Sequence, residues 1–246
     1  MKKLLSSMVA ILALGAFANA GGGKLIEPPQ VPPMAIDIWS GPYIGLQAGY
    51  IKGDGDVSIT SYYSPVPSVL EMPTKYDTAT LEPDGFIGGI YVGFNKKFNN
   101  DFLIGIEAAA NYTKIDDVQT IKSSSEPVGK FKLEQKHDFA LYLRAGKVMD
   151  NKVLPYVLAG VAWTKLEGTY TPTGGDALTD SDNVMGWTAG AGLEYKINRN
   201  WNVRLQYRYT DYKDADLTMQ NDMDVYKVKV KDYNTHSVMA GVSYHF

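Results

Sequence analysis

With 246 residues, a formal net charge of −3 and no basic stripe, this chain lacks the electrostatic footprint of a nucleic-acid binder. It contains no cysteine, which excludes disulfides, thiol chemistry and cysteine-based metal sites. No stretch after the N-terminal one approaches the roughly 20 consecutive apolar residues of a membrane-spanning helix, which leaves an exported soluble protein or a barrel that hides its apolarity by alternation.

The chain opens with a leader. Lys2 and Lys3 supply a charged start, Leu4 to Phe17 is apolar and Ala18-Asn19-Ala20 is a small-x-small cleavage site, so residues 1–20 read as a signal peptide removed after Ala20. Residues 21–40, with Pro28, Pro29, Pro32 and Pro33, read as an extended periplasmic spacer. From Gly41 to Phe246 the patterning has period two, in runs of about nine to eleven residues, the length of a tilted transmembrane strand.

Eight such strands are predicted. The first alternates Ile44, Leu46, Ala48 and Tyr50 with Gly45, Gln47 and Gly49, and the second sets Phe86, Ile90, Val92 and Phe94 against Ile87, Gly89, Tyr91 and Gly93. In the third, Ile104, Ile106, Ala108, Ala110 and Tyr112 oppose Gly105, Glu107, Ala109 and Asn111. The fourth sets Phe139, Leu141 and Leu143 against Asp138, Ala140, Tyr142 and Arg144. The fifth sets Val157, Ala159, Val161 and Trp163 against Tyr156, Leu158 and Gly160. In the sixth, Trp187, Ala189, Ala191, Leu193 and Tyr195 oppose Thr188, Gly190, Gly192 and Glu194. The seventh sets Trp201, Val203, Leu205 and Tyr207 against Asn202, Arg204, Gln206 and Arg208. The last carries Val238, Ala240, Val242, Tyr244 and Phe246 as an apolar stripe to its final ring.

The connections sort by length. Those at Asn95–Asn100, Lys147–Lys152 and Asn198–Asn200 are short, whereas Lys52–Asp84, Thr113–Lys136, Thr164–Met185 and Asp211–Thr235 are long. Short turns at one end and long loops at the other are expected of an outer-membrane barrel, with the long loops facing the cell exterior. The alternation Val225–Asp232 extends the last hairpin beyond the membrane, and Tyr62, Tyr63, Pro65 and Pro67 enrich the first loop. These loops offer a surface for an extracellular ligand. Tyr43, Trp163, Trp187, Trp201 and Phe246 are read as aromatic belts at the lipid interfaces.

The runs Gly186-Trp-Thr-Ala-Gly-Ala-Gly-Leu-Glu-Tyr195 and Trp201-Asn-Val-Arg-Leu-Gln-Tyr-Arg-Tyr-Thr-Asp211, the opening Gly41-Pro-Tyr-Ile-Gly-Leu-Gln-Ala-Gly-Tyr50 and the terminal Phe246 carry a resemblance. The chain resembles the small porin-like outer-membrane β-barrels of Gram-negative bacteria, related to opacity-type surface antigens and the membrane domain of outer membrane protein A. That resemblance implies an all-β, eight-stranded antiparallel up-and-down barrel in residues 41–246. It also implies insertion by the barrel-assembly machinery through the terminal strand, with Val238, Ala240, Val242, Tyr244 and Phe246 as the signal.

The inward face is rich in glycine and carries Glu107, Asp138 and Glu194 against Arg144, Arg204 and Arg208. Eight strands enclose a space just wide enough for side chains. Two readings follow: a salt-bridged structural plug, or a narrow polar pore with an arginine ladder. A turn ending at Trp201 puts Glu194 opposite Arg204 and Gly190 opposite Arg208, and a five-residue turn at Lys96–Asn100 puts Tyr91 opposite Gly105. A missing side chain thus accommodates a long one.

A lipid-modifying enzyme is the less favoured alternative. His236 and Ser237 point to opposite faces of one strand, and His245 with Ser243 lacks an evident orienting carboxylate. His137 reads as a solvated rim residue. The acidic groups Asp176, Asp180, Asp182, Asp211, Asp214, Asp216, Asp222 and Asp224 lack the spacing of a calcium loop and read as solvated loop tips. No cofactor or metal is expected. The sequence therefore supports a non-enzymatic, surface-exposed structural or interaction barrel in outer-membrane lipid, with a small porin as the alternative.

Overall fold

The computed structural model describes residues 38–63, 72–76, 78–123, 126–220 and 224–246. The segments expected to be a leader (residues 1–20) and a spacer (up to residue 37), together with Pro65, Pro67 and Asp222, lie outside the described residues. The strands are β1 (Gly41–Tyr63), β2 (Met72–Lys75), β3 (Ala79–Leu81), β4 (Asp84–Lys97), β5 (Phe102–Ser123), β6 (Glu126–Lys147), β7 (Val153–Pro172), β8 (Leu178–Lys196), β9 (Trp201–Tyr212), β10 (Ala215–Gln220) and β11 (Asp224–His245). Eight of them form an antiparallel ring in the order β1-β4-β5-β6-β7-β8-β9-β11, and β11 pairs back to β1. Closure matters because an unpaired edge cannot be hydrated in hydrocarbon. At the seam Tyr43 faces His245 and Tyr50 faces Val238. Past the seam, the Phe246 N–H donates to the Pro42 carbonyl at 3.1 Å.

Through the lower half of the ring the polarity runs apolar outside and polar inside. Leu205 is 58% exposed while its neighbours Arg204 and Gln206 are buried. Ile90, Leu141, Trp163, Trp187, Trp201 and Phe246 also face outward. Tyr43 does not. It shares its parity with Gly45, so it points into the barrel and is buried, and its assignment to the aromatic belt is corrected.

The long connections are mostly not loops. Six ring strands run 19 to 23 residues, about twice what a crossing needs. Beyond the changeover marked by Ile51, Ile87, Ile115 and Met239, the polarity inverts. Val57, Ile59, Ile121, Phe131, Leu133, Leu166, Tyr170, Leu217, Val228 and Val230 now point inward as an apolar core, with lysines, threonines and acids outside. Two bulges let the chain keep that core. One lies between Gln135 and Asp138, the other opposite Asp54–Asp56 around Asp232, whose φ is 52°. Each shifts which parity faces inward, as one inserted residue must.

Within this extension Asp180 and Asp182 are not solvated tips. Both lie in β8, and their carboxylates accept the backbone N–H groups of Thr218 and Asp216 at 2.8 and 3.4 Å, fastening β10 to the wall. Burial pushes the Tyr170 phenol well above its usual ionisation range.

The turn between β4 and β5 is tighter than expected. It comprises Phe98–Asp101, with Asp101 at φ 64°, and Asn95 to Lys97 remain in the strand. Gly105 therefore faces Asn95, and Tyr91 faces Ala109. The space that Tyr91 fills is supplied instead by Gly45 on β1, where a Cβ would overlap the phenol ring. The β8–β9 register does set Glu194 opposite Arg204 and Gly190 opposite Arg208.

Candidate functional site in the barrel interior

The inward side chains of the lower half form one connected polar network. Its centre is Glu107, on β5. Its carboxylate accepts hydrogen bonds from Tyr43 and Tyr142 at 2.6 Å, from Arg144 at 2.9 Å and from Arg204 at 2.8 Å. Toward the short-turn end, Arg144 also donates to Glu194 at 2.5 Å. Glu194 in turn accepts from Asn202 and stands 3.3 Å from the His245 Nε2. Toward the hairpin end, Arg204 donates to Gln47 at 2.6 Å, Gln47 to Asn111 at 2.7 Å and Asn111 to Asp138 at 2.8 Å. Asp138 also accepts from Arg208 at 2.6 Å and Tyr212 at 3.0 Å.

Three carboxylates thus meet three guanidiniums, and aromatic rings complete the shell. The Arg204 Cζ lies 3.4 Å from the Tyr91 ring centroid and that of Arg144 lies 4.1 Å from Tyr156. Such contacts suit desolvated guanidinium planes. The network is sealed: the six charged side chains show 0–1% exposure. A guanidinium lining a water column would be hydrated, so these side chains fill the space they occupy.

The short-turn end is stoppered by Trp39. The residue is fully buried, its indole N–H donates to the Asn151 carbonyl at 3.2 Å, and Lys196 stacks over the ring at 4.5 Å. Lys196 donates to Asn202 at 2.9 Å and is buried.

All six predicted charges of the interior lie in this network, but their pairing differs from the strand register. Arg204 stands opposite Glu194 yet bonds to Glu107, and Glu194 is paired with Arg144. Sequence reasoning missed Trp39, Tyr43, Gln47 and Asn202 as members. Parity held the signal for the last three, while Trp39 precedes the first strand and carries none. His245 does have a carboxylate beside it, Glu194, which corrects the expectation of none. Its ring stacks on Tyr43 at 4.9 Å. His236 lies on the outer face with Tyr207 2.7 Å from its Nδ1, while Ser237 is buried and donates to the Arg208 carbonyl. Trp163, Trp187 and Trp201 lie on the lipid face, Val238, Ala240, Val242 and Tyr244 lie along the outer side of β11, and Phe246 faces outward just past its last residue. Among the described residues no group of three or more histidines and carboxylates is placed to hold a metal.

The sequence model of the family described as "Outer membrane protein beta-barrel domain" matches residues 30–246. The chain belongs to that family. It is similar to a 31 kDa outer-membrane immunogenic protein of Brucella melitensis, 28% identical over 99% of this chain and 98% of the relative. A 25 kDa outer-membrane immunogenic protein of Brucella abortus is 30% identical over 94% and 96%. Among solved structures, outer membrane protein OprG of Pseudomonas aeruginosa aligns over 85% of this chain and 98% of its own, at 16% identity and a TM-score of 0.48. As a member of the outer-membrane β-barrel family, the protein resides in the cell outer membrane.

Proposed function

We propose that this protein is a closed, non-catalytic barrel that stiffens the envelope and carries a recognition surface on its hairpin extension. The observation that supports this most directly is the sealed interior, in which Arg144, Arg204 and Arg208 are locked to carboxylates rather than lining a passage. With the start of β1 and the finish of β11 both on the short-turn side, the extension faces the exterior and the Trp39 stopper faces the periplasm. Insertion runs through β11 by way of the barrel-assembly machinery. The naming of the relatives as immunogenic fits an exposed extension.

The recognition surface includes a cleft of about 550 Å³ lined by Tyr62, Lys75, Tyr76, Asp216, Lys227 and Lys229, among others. Lys227 covers the Tyr62 ring at 4.7 Å and Lys229 stands 3.4 Å from Asp216. A binding role here rests on loop-borne function on a rigid scaffold. Planar-bilayer recording of the purified protein tests the closed interior: the wild type is expected to give no steady conductance. Steady conductance altered by Arg208→Glu would replace this reading with the porin.

A further inference from the structure

On the outer face of β5 the side chains run Ala108, Ala110, Tyr112, Lys114 toward the hairpin end. The two alanines floor an apolar groove of about 350 Å³ between Ile90 and Val92 on one side and Phe139 and Leu141 on the other, with Trp163 beyond. The register fixes this: Ile90 and Phe139 flank Ala110, and Val92 and Leu141 flank Ala108. Small residues between large ones on a lipid-facing wall leave a furrow the width of a hydrocarbon chain.

Immediately above the furrow the same wall turns basic. The β6 bulge places Lys136 between Lys114 on β5 and Lys165 on β7, and all three interrupt the pairing at the same level. Two strand spacings separate Lys114 from Lys165, roughly 10 Å. Lys136 is compensated by Glu167 at 2.9 Å. Asp116 and Glu134, one row farther out, are engaged by Lys132 at 3.5 and 2.9 Å. Lys114 and Lys165 are both exposed, and among the described residues neither has a carboxylate within ion-pair reach. Two uncompensated ammonium groups at the edge of the aromatic belt, on stems able to bend toward the interface, ask for an anion at headgroup depth.

We propose that this wall holds one phosphorylated lipid of the surrounding leaflet, its phosphate between Lys114 and Lys165 and one acyl chain in the Ala108–Ala110 furrow. The site needs both parts, since neither a bare anion nor a neutral lipid satisfies both. Native mass spectrometry of the detergent-solubilised protein, offered equal phosphatidic acid and phosphatidylcholine of identical chains, tests it. The wild type is expected to retain phosphatidic acid at least fivefold over phosphatidylcholine. Lys114→Gln with Lys165→Gln is expected to bring that ratio near one, and Ala110→Leu to cut phosphatidic acid retention severalfold with both lysines intact. Lys122→Gln with Lys130→Gln, two exposed lysines at the hairpin tip, should leave it unchanged. Equal retention of the two lipids by the wild type overturns the proposal, as does a preference surviving the double substitution, or displacement of the lipid by millimolar inorganic phosphate. Should the double variant fail to fold, quenching by brominated phosphatidic acid in a Trp187→Phe, Trp201→Phe protein, where Trp163 is the remaining lipid-facing tryptophan among the described residues, decides. Quenching equal to that by brominated phosphatidylcholine then overturns it.

Discussion

Glu107 accepts hydrogen bonds from residues of β1, β6 and β9, so one carboxylate ties distant parts of the wall together across the interior. Removing its charge would leave Arg144 with Glu194 alone and Arg204, among the described residues, with no carboxylate in ion-pair contact. Losing one partner of a buried ion pair costs about 3–5 kcal/mol, so Glu107→Gln is expected to move the urea midpoint down with its slope unchanged. A normal midpoint would mean that the arginines find other anions. On the outer face the opposite chemistry holds. Leu205→Arg places a cation in the lipid-facing band at roughly 2–4 kcal/mol, and heat-modifiable migration is expected to be lost. At this scale the sequence showed which charges face inward, because alternation alone sorts faces. It did not show who pairs with whom, since an arginine reaches across the lumen to strands that are not its neighbours. Tyr43 illustrates the remaining gap: an aromatic near a strand start suits a belt until parity is counted.

At the scale of elements, period two does not distinguish lipid outside from water outside. The short runs Asp56–Ile59 and Lys130–Leu133 alternate like the crossing segments but with polar groups outside, and so read as loops between membrane strands. Only Val225–Asp232 was legible as a hairpin extension, because its lysines recur without interruption. The bulge at Lys136–His137 was invisible, since a single inserted residue looks like a lapse in the pattern. If the extension has its own core, Ile59→Asp, which buries an unpaired charge, is expected to open it without unfolding the barrel. Limited trypsin digestion would then cut at Lys227 and Lys229 while the crossing segments stay protected. Alkaline pH should act in the same direction. The raised Tyr170 ionisation means that folding favours the neutral phenol, so this contribution is intact below about pH 10 and fades as pH climbs beyond that. Protease sensitivity of the extension should rise at high pH in the wild type and less in Tyr170→Phe.

For the whole molecule, one closed sheet serves two solvents in succession. The ring is greasy outside and hydrophilic within where it crosses lipid, then reverses where it meets water, with Ile51, Ile87, Ile115 and Met239 at the changeover. The fold class and strand count were readable from the chain because alternation, turn length and closure all point the same way. The crossing segments, filled by one continuous buried network, should be the last part of the cylinder to open. Hydrogen exchange is expected to be slowest at the amides of Arg144, Arg204 and Arg208, and fast exchange there would argue for an open interior.

The hinge-free continuation of the wall ends, between β7 and β8, in Gly174 and Gly175, where Gly174 has φ 80° and its missing side chain would meet open space. A foreign peptide spliced between these glycines would be carried on a stiff mast well clear of the bilayer. The same openness means that a side chain added at Gly174 would press on no packed neighbour, whereas one added on the inner wall would collide with what already fills it.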